Sequence, residues 1–252
     1  MQVVVAPKYK YLDGFFHAVA QGDYPREKVW RNRRNTVELV RVGDTPLVVK
    51  KFKRPTLANC VIYTFFRKNK AQRAWENACL FQQLGLETAG PVAYMVRKKW
   101  GFFHTAWFIS EFLPYPEIDE AYKACGSEAE REELMTAFVD YTLHLHALKI
   151  VHRDYNRGNI LVHKEADGYH FALIDINRLW LRHTPDVMLS MRSLMMLKLE
   201  EPELDLVLQK YAEGRGFDVE DCEHTISRLQ HVNEARRKIK HGFKRLIGLE
   251  YT

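Results

Sequence analysis

The sequence predicts an α+β protein made of an antiparallel sheet followed by a mainly helical half. Alternating strand patterns joined by short turns cover residues 36–52 and 91–113. Helical periodicity governs residues 128–149 and 203–252. Between these regions the segment SEFLPYPE, residues 110–117, loses periodicity and gains prolines. We therefore predict two parts, residues 1–112 with a small sheet and one helix and residues 113–252 with most of the helices.

The composition is that of a globular protein with a basic surface. The 252 residues are 46% hydrophobic and 28% charged, with a net charge of +6. A basic chain favours an anionic partner but does not choose among nucleotide, sugar phosphate, lipid and nucleic acid. The four cysteines are widely spaced without a C-x-x-C pair, which predicts reduced thiols in the cytoplasm and no zinc site. We expect neither a signal peptide nor a membrane-spanning helix, since no apolar run approaches the required ~20 residues.

The first part carries a lysine in an unusual place. Val3–Val5 predicts an edge strand, and TVELVRV and LVVKKF predict a hairpin that turns at Gly43–Asp44. Lys50 shares a face of its strand with apolar residues, so it is our candidate for phosphate contact, with Lys51 second. The alternative is that both are ordinary surface lysines.

A helix and a second hairpin complete this part. Periodicity predicts a helix over residues 56–84 that ends at Gly85. Glu76 is the one acidic residue between Lys50 and Glu87, which makes it a natural partner for Lys50; a surface pair with Arg73 is the alternative. PVAYMV and HTAWFISEFL predict a hairpin that turns at Lys98–Lys99.

The stretch IVHRDYNRGNILVHKEADGYHFALIDINRL, residues 150–179, is the most informative. Asp167-Gly168 is a hairpin dipeptide, and Asn159 and Asp175 lie eight residues on either side of Asp167. The hairpin would bring both to its open end, where an amide oxygen and a carboxylate suit Mg²⁺. Asp154 would lie nearby as a free carboxylate. Singly, each of the three also suits a helix cap, a turn or a strand end.

Together these residues resemble a known family. His152, Arg153, Asp154 and Asn159 match the pattern H-R-D-x-x-x-x-N of the protein-kinase-like fold. RDYNRGNILV, IDINRL and KAQRAWENACLFQQLGLETAGPVAY are similar to the lipopolysaccharide core kinases that phosphorylate Kdo or heptose, over roughly residues 34–200.

The resemblance implies a two-lobed kinase that uses ATP and Mg²⁺. Lys50, fixed by Glu76, would orient the phosphates, and Asn159 and Asp175 would hold Mg²⁺. Asp154 would accept the proton of the acceptor hydroxyl.

The extended segment Ser110–Leu113 would be the hinge. There the backbones of Glu111 and Leu113 would bind the adenine edge of the nucleotide.

Several features depart from protein kinases. A glycine-rich loop is absent, so side chains such as Arg33, Arg34 and Asn35 would have to cover the phosphates. Asn156 stands where protein kinases that act on Ser/Thr carry a lysine, and Arg157 is a substitute candidate for phosphate contact.

The stretch after Asp175 becomes helical within about a dozen residues, which leaves little platform for a peptide. We therefore expect a glycolipid or sugar acceptor from the lipopolysaccharide core and no nucleic acid. A protein kinase and a catalytically weak nucleotide-binding protein remain the alternatives.

The C-terminal helix adds a further candidate partner. In HVNEARRKIKHGFKRLIGL, basic residues surround a stripe of apolar residues at helical spacing. The apolar stripe consists of Val232, Ala235, Ile239, Phe243 and Leu246. Such a helix suits an anionic membrane surface, but the pattern favours the alternative of a last helix packed on the second part with its charges in water. The expected location is cytoplasmic, with the cytoplasmic face of the inner membrane as a peripheral site.

Overall fold

A computed structural model describes residues 1–32, 35–181 and 183–246. The chain forms two compact units. The first contains Met1–Pro116, Asn159–Val162 and Phe171–Leu179, and the second contains Glu117–Gly158, His163–His170 and Trp180–Thr252. The predicted division at residues 112 and 113 remains a prediction about domains.

The first unit is built on a six-stranded antiparallel sheet in the order β1-β5-β6-β4-β3-β2. Its strands are β1 (Gln2–Val5), β2 (Lys28–Asn32), β3 (Asn35–Val42), β4 (Thr45–Phe52), β5 (Pro91–Lys99) and β6 (Phe102–Glu111). The predicted edge strand and the hairpin that turns at Gly43–Asp44 are confirmed. Strand β2 replaces part of the loop expected before Thr36, and Arg33 and Arg34 lie outside the described residues.

Helices cover the sheet of the first unit. They are a 3₁₀ turn (Pro7–Leu12), α1 (Asp13–Gln21), α2 (Leu57–Phe65) and α3 (Lys70–Gln83). The 3₁₀ turn and α1 contribute Tyr9, Leu12 and Phe16 to a core that includes Val49 and Trp107 of the sheet. Helix α3 buries Ala71, Ala74, Ala78 and Phe81, one stripe at helical spacing, and contacts β5 and β6.

The prediction of one helix over residues 56–84 is wrong. Phe66 leaves the helical region with φ −120°. Three residues later the Asn69 side chain caps a new helix, accepting hydrogen bonds from the N–H groups of Ala71 at 3.0 Å and Gln72 at 3.1 Å. Apolar periodicity continues across this break, so it does not reveal it.

The predicted turn at Lys98–Lys99 is also misplaced. Both lysines belong to β5, and the turn is Trp100–Gly101, where φ is +51° and +80°. Two consecutive positive φ values are those of a type I′ hairpin turn, which matches the twist of the flanking strands.

A further hairpin carries the metal-ligand candidates. Strands β8 (Ile160–Glu165) and β9 (Gly168–Leu173) pair around a turn at Ala166–Asp167, one residue before the predicted position. The pairing continues past the strand ends, since the Ile174 N–H donates to the Asn159 carbonyl at 3.0 Å. Asn159 therefore lies opposite Ile174, one residue from the position opposite Asp175 that the symmetric spacing predicts, because the turn begins one residue earlier.

The second unit is mainly helical. It contains α4 (Ile118–Ala124), α5 (Glu128–Ala147), α6 (Val187–Leu194), α7 (Glu203–Arg215) and α8 (Val219–Leu246). Two-residue strands occur at β7 (Val151–His152) and β10 (Leu179–Trp180). Helix α5 buries Leu134, Phe138 and Leu145 and contacts α7. Within the described part of the chain, no helix is both long enough and apolar enough to cross a bilayer.

Candidate active site

An ion pair between Lys50 and Asp175 is the centre of the candidate site. Lys50 lies on β4 between β3 and β6, opposite Val37 and Phe108. Its ammonium is 2.5 Å from the Asp175 carboxylate, and the two side chains are only 15% and 23% exposed. Lys51, the second candidate, is exposed and places its ammonium 5.7 Å from the centre of the Trp107 ring. The structure therefore separates the two lysines.

Asp175 has an unusual backbone conformation. Its φ is +56°, in the left-handed region that non-glycine residues adopt infrequently. The Asn177 amide donates a hydrogen bond to its carboxylate. Such strained positions concentrate at functional sites, because the surrounding structure must hold them in place.

Hydrogen bonds fix the segment around Asp175 to the rest of the first unit. The Asn77 amide on α3 donates to the Ile176 carbonyl at 2.5 Å. The Thr88 hydroxyl donates to the Leu173 carbonyl at 2.6 Å, and the Leu173 N–H donates to the Glu87 carbonyl at 3.2 Å. These contacts hold β9 and the residues after it beside α3.

Glu76 has a different partner from the one expected. Its carboxylate is 2.8 Å from the Lys68 ammonium and accepts a hydrogen bond from Gln72 at 3.3 Å. Lys50 pairs with Asp175 instead. The expected ion pair between Lys50 and Glu76 is therefore replaced by two others, Lys50 with Asp175 and Lys68 with Glu76. Sequence order placed Glu76 on the correct helix but could not identify its partner, because Lys68 stands in the short break between α2 and α3.

The chemistry of the ligand atoms fits a divalent metal. Asn159 is 9% exposed and lies at the open end of the hairpin with Asp175. A carboxylate and an amide oxygen are hard donors of the kind that Mg²⁺ prefers, and Asp175 already balances a cationic group in the protein alone. Asn159 and Asp175 thus supply donor types that suit Mg²⁺, and their joint binding of the metal stays a prediction.

Other cations near this ion pair were missed by sequence reasoning. Lys70 is the first residue of α3, and its pKa is lowered mainly by burial and then by the charges of Arg178 and Arg73. Asp175 opposes this shift and Lys50 reinforces it, so all of these groups share one electrostatic environment. In the sequence Lys70 is one of several lysines and arginines between Lys50 and Arg73, and its charge does not distinguish it. Asn69 could have identified Lys70 in the sequence. An asparagine that caps a helix fixes where the helix begins, and it thereby places Lys70 in the first turn of α3.

The predicted hinge has Glu111 at its centre. The Glu111 N–H donates to the Gly90 carbonyl at 2.8 Å, and the Phe112 N–H donates to the Pro46 carbonyl at 3.3 Å. The Glu111 carboxylate accepts hydrogen bonds from Tyr9 and from Lys8. Burial raises the pKa of Glu111, but these two hydrogen bonds and the charge of Lys8 together outweigh burial and leave the pKa below its usual value. Leu113 follows in a partly buried, irregular stretch.

Asp154 belongs to the second unit, and its loop is held by local hydrogen bonds. The Asp154 N–H donates to the Nδ1 atom of His152, which is buried, at 3.2 Å. The Asn156 amide donates to the Asp154 carbonyl at 3.1 Å and to its carboxylate at 3.3 Å. Asn156 also accepts from the Gly158 N–H at 3.1 Å. Asn156 therefore orients the carboxylate, a role that the departure from lysine did not suggest.

Arg157 is engaged elsewhere in the second unit. Its guanidinium pairs with the carboxylates of Asp119 and Glu203, and it lies 5.8 Å from the centre of the Tyr122 ring. An arginine with two carboxylate partners is poorly suited to bind phosphate as well. The structure thus contradicts its use as a replacement for the missing lysine.

Comparison with known proteins supports a functional assignment. The model of the Lipopolysaccharide kinase (Kdo/WaaP) family matches residues 29–203, well over half of the chain. No curated protein matches the sequence.

Among solved structures, the structure of WaaP in complex with acyl carrier protein is similar, with 17% identity and a TM-score of 0.64. That match covers 94% of this chain and 98% of the other. It shows that the folds are alike, and the predicted α+β, protein-kinase-like fold is confirmed. The MAP kinase LmaMPK10 from Leishmania major matches with 15% identity over 80% of this chain and 65% of that one. Its TM-score of 0.45 is too low to support a conclusion.

Proposed function

Since the chain belongs to the Lipopolysaccharide kinase (Kdo/WaaP) family, we propose that it transfers the γ-phosphoryl group of ATP to a Kdo or heptose hydroxyl of the lipopolysaccharide inner core. Family membership makes it a phosphotransferase that acts on a sugar hydroxyl in lipopolysaccharide biosynthesis. We further propose that the acceptor sugar is Kdo or heptose, that the nucleotide is ATP and that the metal is Mg²⁺.

The ion pair of Lys50 with Asp175 is the observation that carries the proposal. A lysine and an aspartate from distant parts of the sequence meet at 2.5 Å with little exposure to solvent. Phosphoryl transfer depends on fixed charges that position the phosphates and stabilise the transition state. Such a pair provides a cation for phosphate oxygens and an anion for a metal ion.

The candidate site residues of the first unit bind the metal ion and the nucleotide in this proposal. Asp175 and Asn159 would hold Mg²⁺, which when bound would neutralise charge on the phosphate oxygens. Lys50 would then exchange its carboxylate partner for phosphate oxygens. The Glu111 carbonyl and the Leu113 N–H pair with the adenine edge, since the Glu111 N–H is already bonded to Gly90.

Asp154 acts on the acceptor. Its carboxylate accepts the proton of the sugar hydroxyl as the new oxygen–phosphorus bond forms and the bond between the γ-phosphorus and the bridging oxygen breaks, which releases ADP. The hydrogen bonds from Asn156 and to His152 keep the carboxylate in place for this step.

The residues after Asp175 support a sugar acceptor over a peptide. Helix α6 begins at Val187, where the Asp186 side chain accepts a hydrogen bond from the Leu189 N–H at 2.8 Å. Only 11 residues separate Asp175 from this helix. That is a short segment on which to align an extended peptide.

The proposed location is the cytoplasm, with peripheral binding at the inner membrane. The four cysteines are free thiols, which suits a reducing compartment. On α8, Val232 is 40% and Ile239 72% exposed, so this part of the predicted apolar stripe faces solvent. Phe243 and Leu246 lie outside the residues whose side chains are described.

Incubation with radiolabelled ATP and Mg²⁺ tests the reaction. Parallel samples receive a Kdo-containing lipid A, a heptose-containing core, a generic protein substrate, or no acceptor. Label in one of the two lipids supports the proposal and identifies the sugar. Label in protein alone contradicts it in favour of a protein kinase, and nucleotide binding without transfer favours a catalytically weak nucleotide-binding protein.

The Asp154→Ala variant tests the assignment of roles. We expect transfer to fall by about 100-fold or more, the range for loss of a general base, with ATP binding nearly unchanged. Isothermal titration with ATP measures binding, and label incorporation measures transfer. Asp140→Ala, at an exposed position on α5, is a matched control. Retained turnover in Asp154→Ala would refute the proposed role.

A further inference from the structure

Helix α2 exposes an unusual amount of apolar surface. Cys60 is the one residue that it buries. Leu57, Val61 and Phe65 follow one another at intervals of four, so they share a face of the helix. They are 76%, 41% and 66% exposed, and Phe66 after them is 82% exposed. A helix with this pattern is typical of one that rests on another surface.

The tip of the β5–β6 hairpin continues this surface. Trp100, in the type I′ turn, is 88% exposed, and Phe102 is 45% exposed. The Phe65 ring contacts Phe66 and Phe102, with centroids 6.3 and 6.1 Å apart. The Phe103 N–H also donates to the Thr64 hydroxyl at 2.8 Å, which ties the hairpin to the helix. We call this surface the aromatic patch; its members are Leu57, Val61, Phe65, Phe66, Trp100 and Phe102.

The sequence around the aromatic patch carries positive charge alone. Residues 45–75 contain eight lysines and arginines and no carboxylate, and residues 88–110 contain three and no carboxylate. Lys53, Arg54, Arg67, Lys98 and Lys99 are exposed. The Lys99 ammonium lies 4.8 Å from the centre of the Trp100 ring, so charge and aromatic surface are adjacent.

We propose that the aromatic patch docks this chain on an anionic lipid bilayer. Tryptophan and phenylalanine insert at the boundary between headgroups and acyl chains, while flanking lysines and arginines attract anionic headgroups. Long basic side chains around an apolar centre suit a fluid surface, on which the position of each phosphate is not fixed. The purpose of docking rests on the proposed function, since a glycolipid acceptor resides in a bilayer. The binding itself requires neither ATP nor an acceptor.

Vesicle sedimentation of the full chain tests the docking surface. We expect binding to vesicles of phosphatidylglycerol and phosphatidylcholine, weakening with added salt, and much weaker binding to phosphatidylcholine alone. The triple variant Phe65→Ser, Phe66→Ser, Trp100→Ser should lose binding by about tenfold or more because it removes most of the inserted apolar area. The double variant Arg67→Glu, Lys99→Glu should also bind more weakly than the wild type. The difference between the two proteins should be largest at low salt, where the attraction to anionic headgroups is least screened.

Two matched controls separate the aromatic patch from other exposed apolar residues. Tyr11→Ser, at a position 71% exposed on the 3₁₀ turn, should retain binding. Ile239→Ser tests the stripe of α8. Full binding by the triple variant, or loss of binding in Ile239→Ser alone, would overturn the proposal. So would failure of the folded wild-type chain to bind anionic vesicles, including the case in which the patch instead captures an acidic protein.

The lipid contact is also testable through Trp100. Lipids brominated on their acyl chains quench tryptophans that reach them, so quenching should be strong in the wild type and largely lost in Trp100→Phe, with vesicle binding retained. Equal quenching in both proteins would place Trp100 away from the lipid.

Catalysis gives a separate readout. The triple variant should phosphorylate an acceptor sugar without its lipid as fast as the wild type does, and an acceptor embedded in vesicles several-fold more slowly. Vesicle binding by a chain that transfers no phosphate would refute the proposed function and leave the docking surface supported. Equal rates of the triple variant and the wild type on the embedded acceptor would count against the docking surface.

Discussion

Lys50 and Asp175 carry opposite charges at 2.5 Å on side chains that are mostly withdrawn from solvent. The sequence identified both residues, one by its place in an apolar strand and one by its distance from a turn. It assigned Lys50 the wrong partner, since the contact with Asp175 joins residues 125 positions apart (175 − 50). Chemistry-bearing residues can thus be found from local pattern, whereas their pairing depends on tertiary structure.

Lys70 shows what local pattern overlooks. It shares an electrostatic environment with Lys50, Asp175 and Arg178, yet in the sequence it is one lysine among many. We predict that Lys70→Gln weakens ATP binding by about fivefold to tenfold, the effect of about 1 kcal/mol of lost charge interaction at a partly exposed site. Titration calorimetry with ATP measures this, and Lys123→Gln, at an exposed position on α4, is the control. Unchanged affinity would remove Lys70 from the nucleotide site.

His146 makes stability depend on pH. Its Nδ1 atom is 2.6 Å from the Tyr211 hydroxyl, and burial, aided by Arg215, lowers its pKa to about 4. The unfolded chain, with a histidine pKa of about 6.5, therefore takes up the proton first as the pH falls. The stabilisation is complete above about pH 6.5 and is lost progressively down to pH 4. The loss in free energy of unfolding amounts to about 2 kcal/mol at pH 5.

Urea unfolding at pH 7 and pH 5 measures this effect. The fall in the free energy of unfolding between the two values should be smaller by about 2 kcal/mol in His146→Gln than in the wild type. His144→Gln, at an exposed position of the same helix, is the matched control. Equal falls in wild type and His146→Gln would show that another group governs the acid sensitivity.

At the scale of elements, periodicity gave the type of each segment more reliably than its limits. The hairpin over residues 36–52 and helix α5 follow the predicted patterns. The break between α2 and α3, and the turn at Trp100–Gly101, follow from capping and backbone dihedral angles instead. Asn69 and Gly101 mark the helix start and the turn, but asparagine and glycine also occur inside helices and strands. Whether each one ends an element is therefore decided by its contacts in the folded chain.

Asn69 provides a test of the helix break. It is 6% exposed and caps α3 with two hydrogen bonds. We expect Asn69→Ala to lower the free energy of unfolding by about 1–2 kcal/mol, because two backbone N–H groups lose their acceptor. Denaturant unfolding measures the change. Asn59→Ala, at an exposed position of α2, should cost far less, and a comparable loss would show that the cap contributes little.

For the whole molecule, the order of elements together with the H-R-D-x-x-x-x-N pattern predicted the fold, and the resemblance of RDYNRGNILV and IDINRL to a known family predicted the family. Strand with Lys50, helix with Glu76, hairpin, irregular segment and H-R-D-x-x-x-x-N pattern occur in the expected sequence. The aromatic patch could not be predicted, because its members come from separate segments and resemble core residues. Their exposure is a property of the folded chain alone.

Ligand binding should stabilise the whole chain in a metal-dependent way. A ligand that binds the folded state alone raises stability by RT ln(1 + [L]/Kd), about 2.7 kcal/mol at a hundredfold excess over Kd. We expect ATP with Mg²⁺ to raise the Tm by several degrees and EDTA to remove most of that rise. In Asp175→Asn the response to Mg²⁺ should be largely absent; a full response would show that the metal is held elsewhere.

The hairpin of β8 and β9 also constrains how the chain tolerates changes in length. The bond from the Ile174 N–H to the Asn159 carbonyl shows that β8 and β9 pair in one register, so removal of one residue from either arm would shift that register and turn the following side chains to the opposite face. Extra residues at Ala166–Asp167 would lengthen only the turn and leave both arms paired. That turn is therefore the place to insert an affinity tag or a fluorophore without disturbing the metal ligands, and the arms are where a frame-preserving deletion would be most damaging.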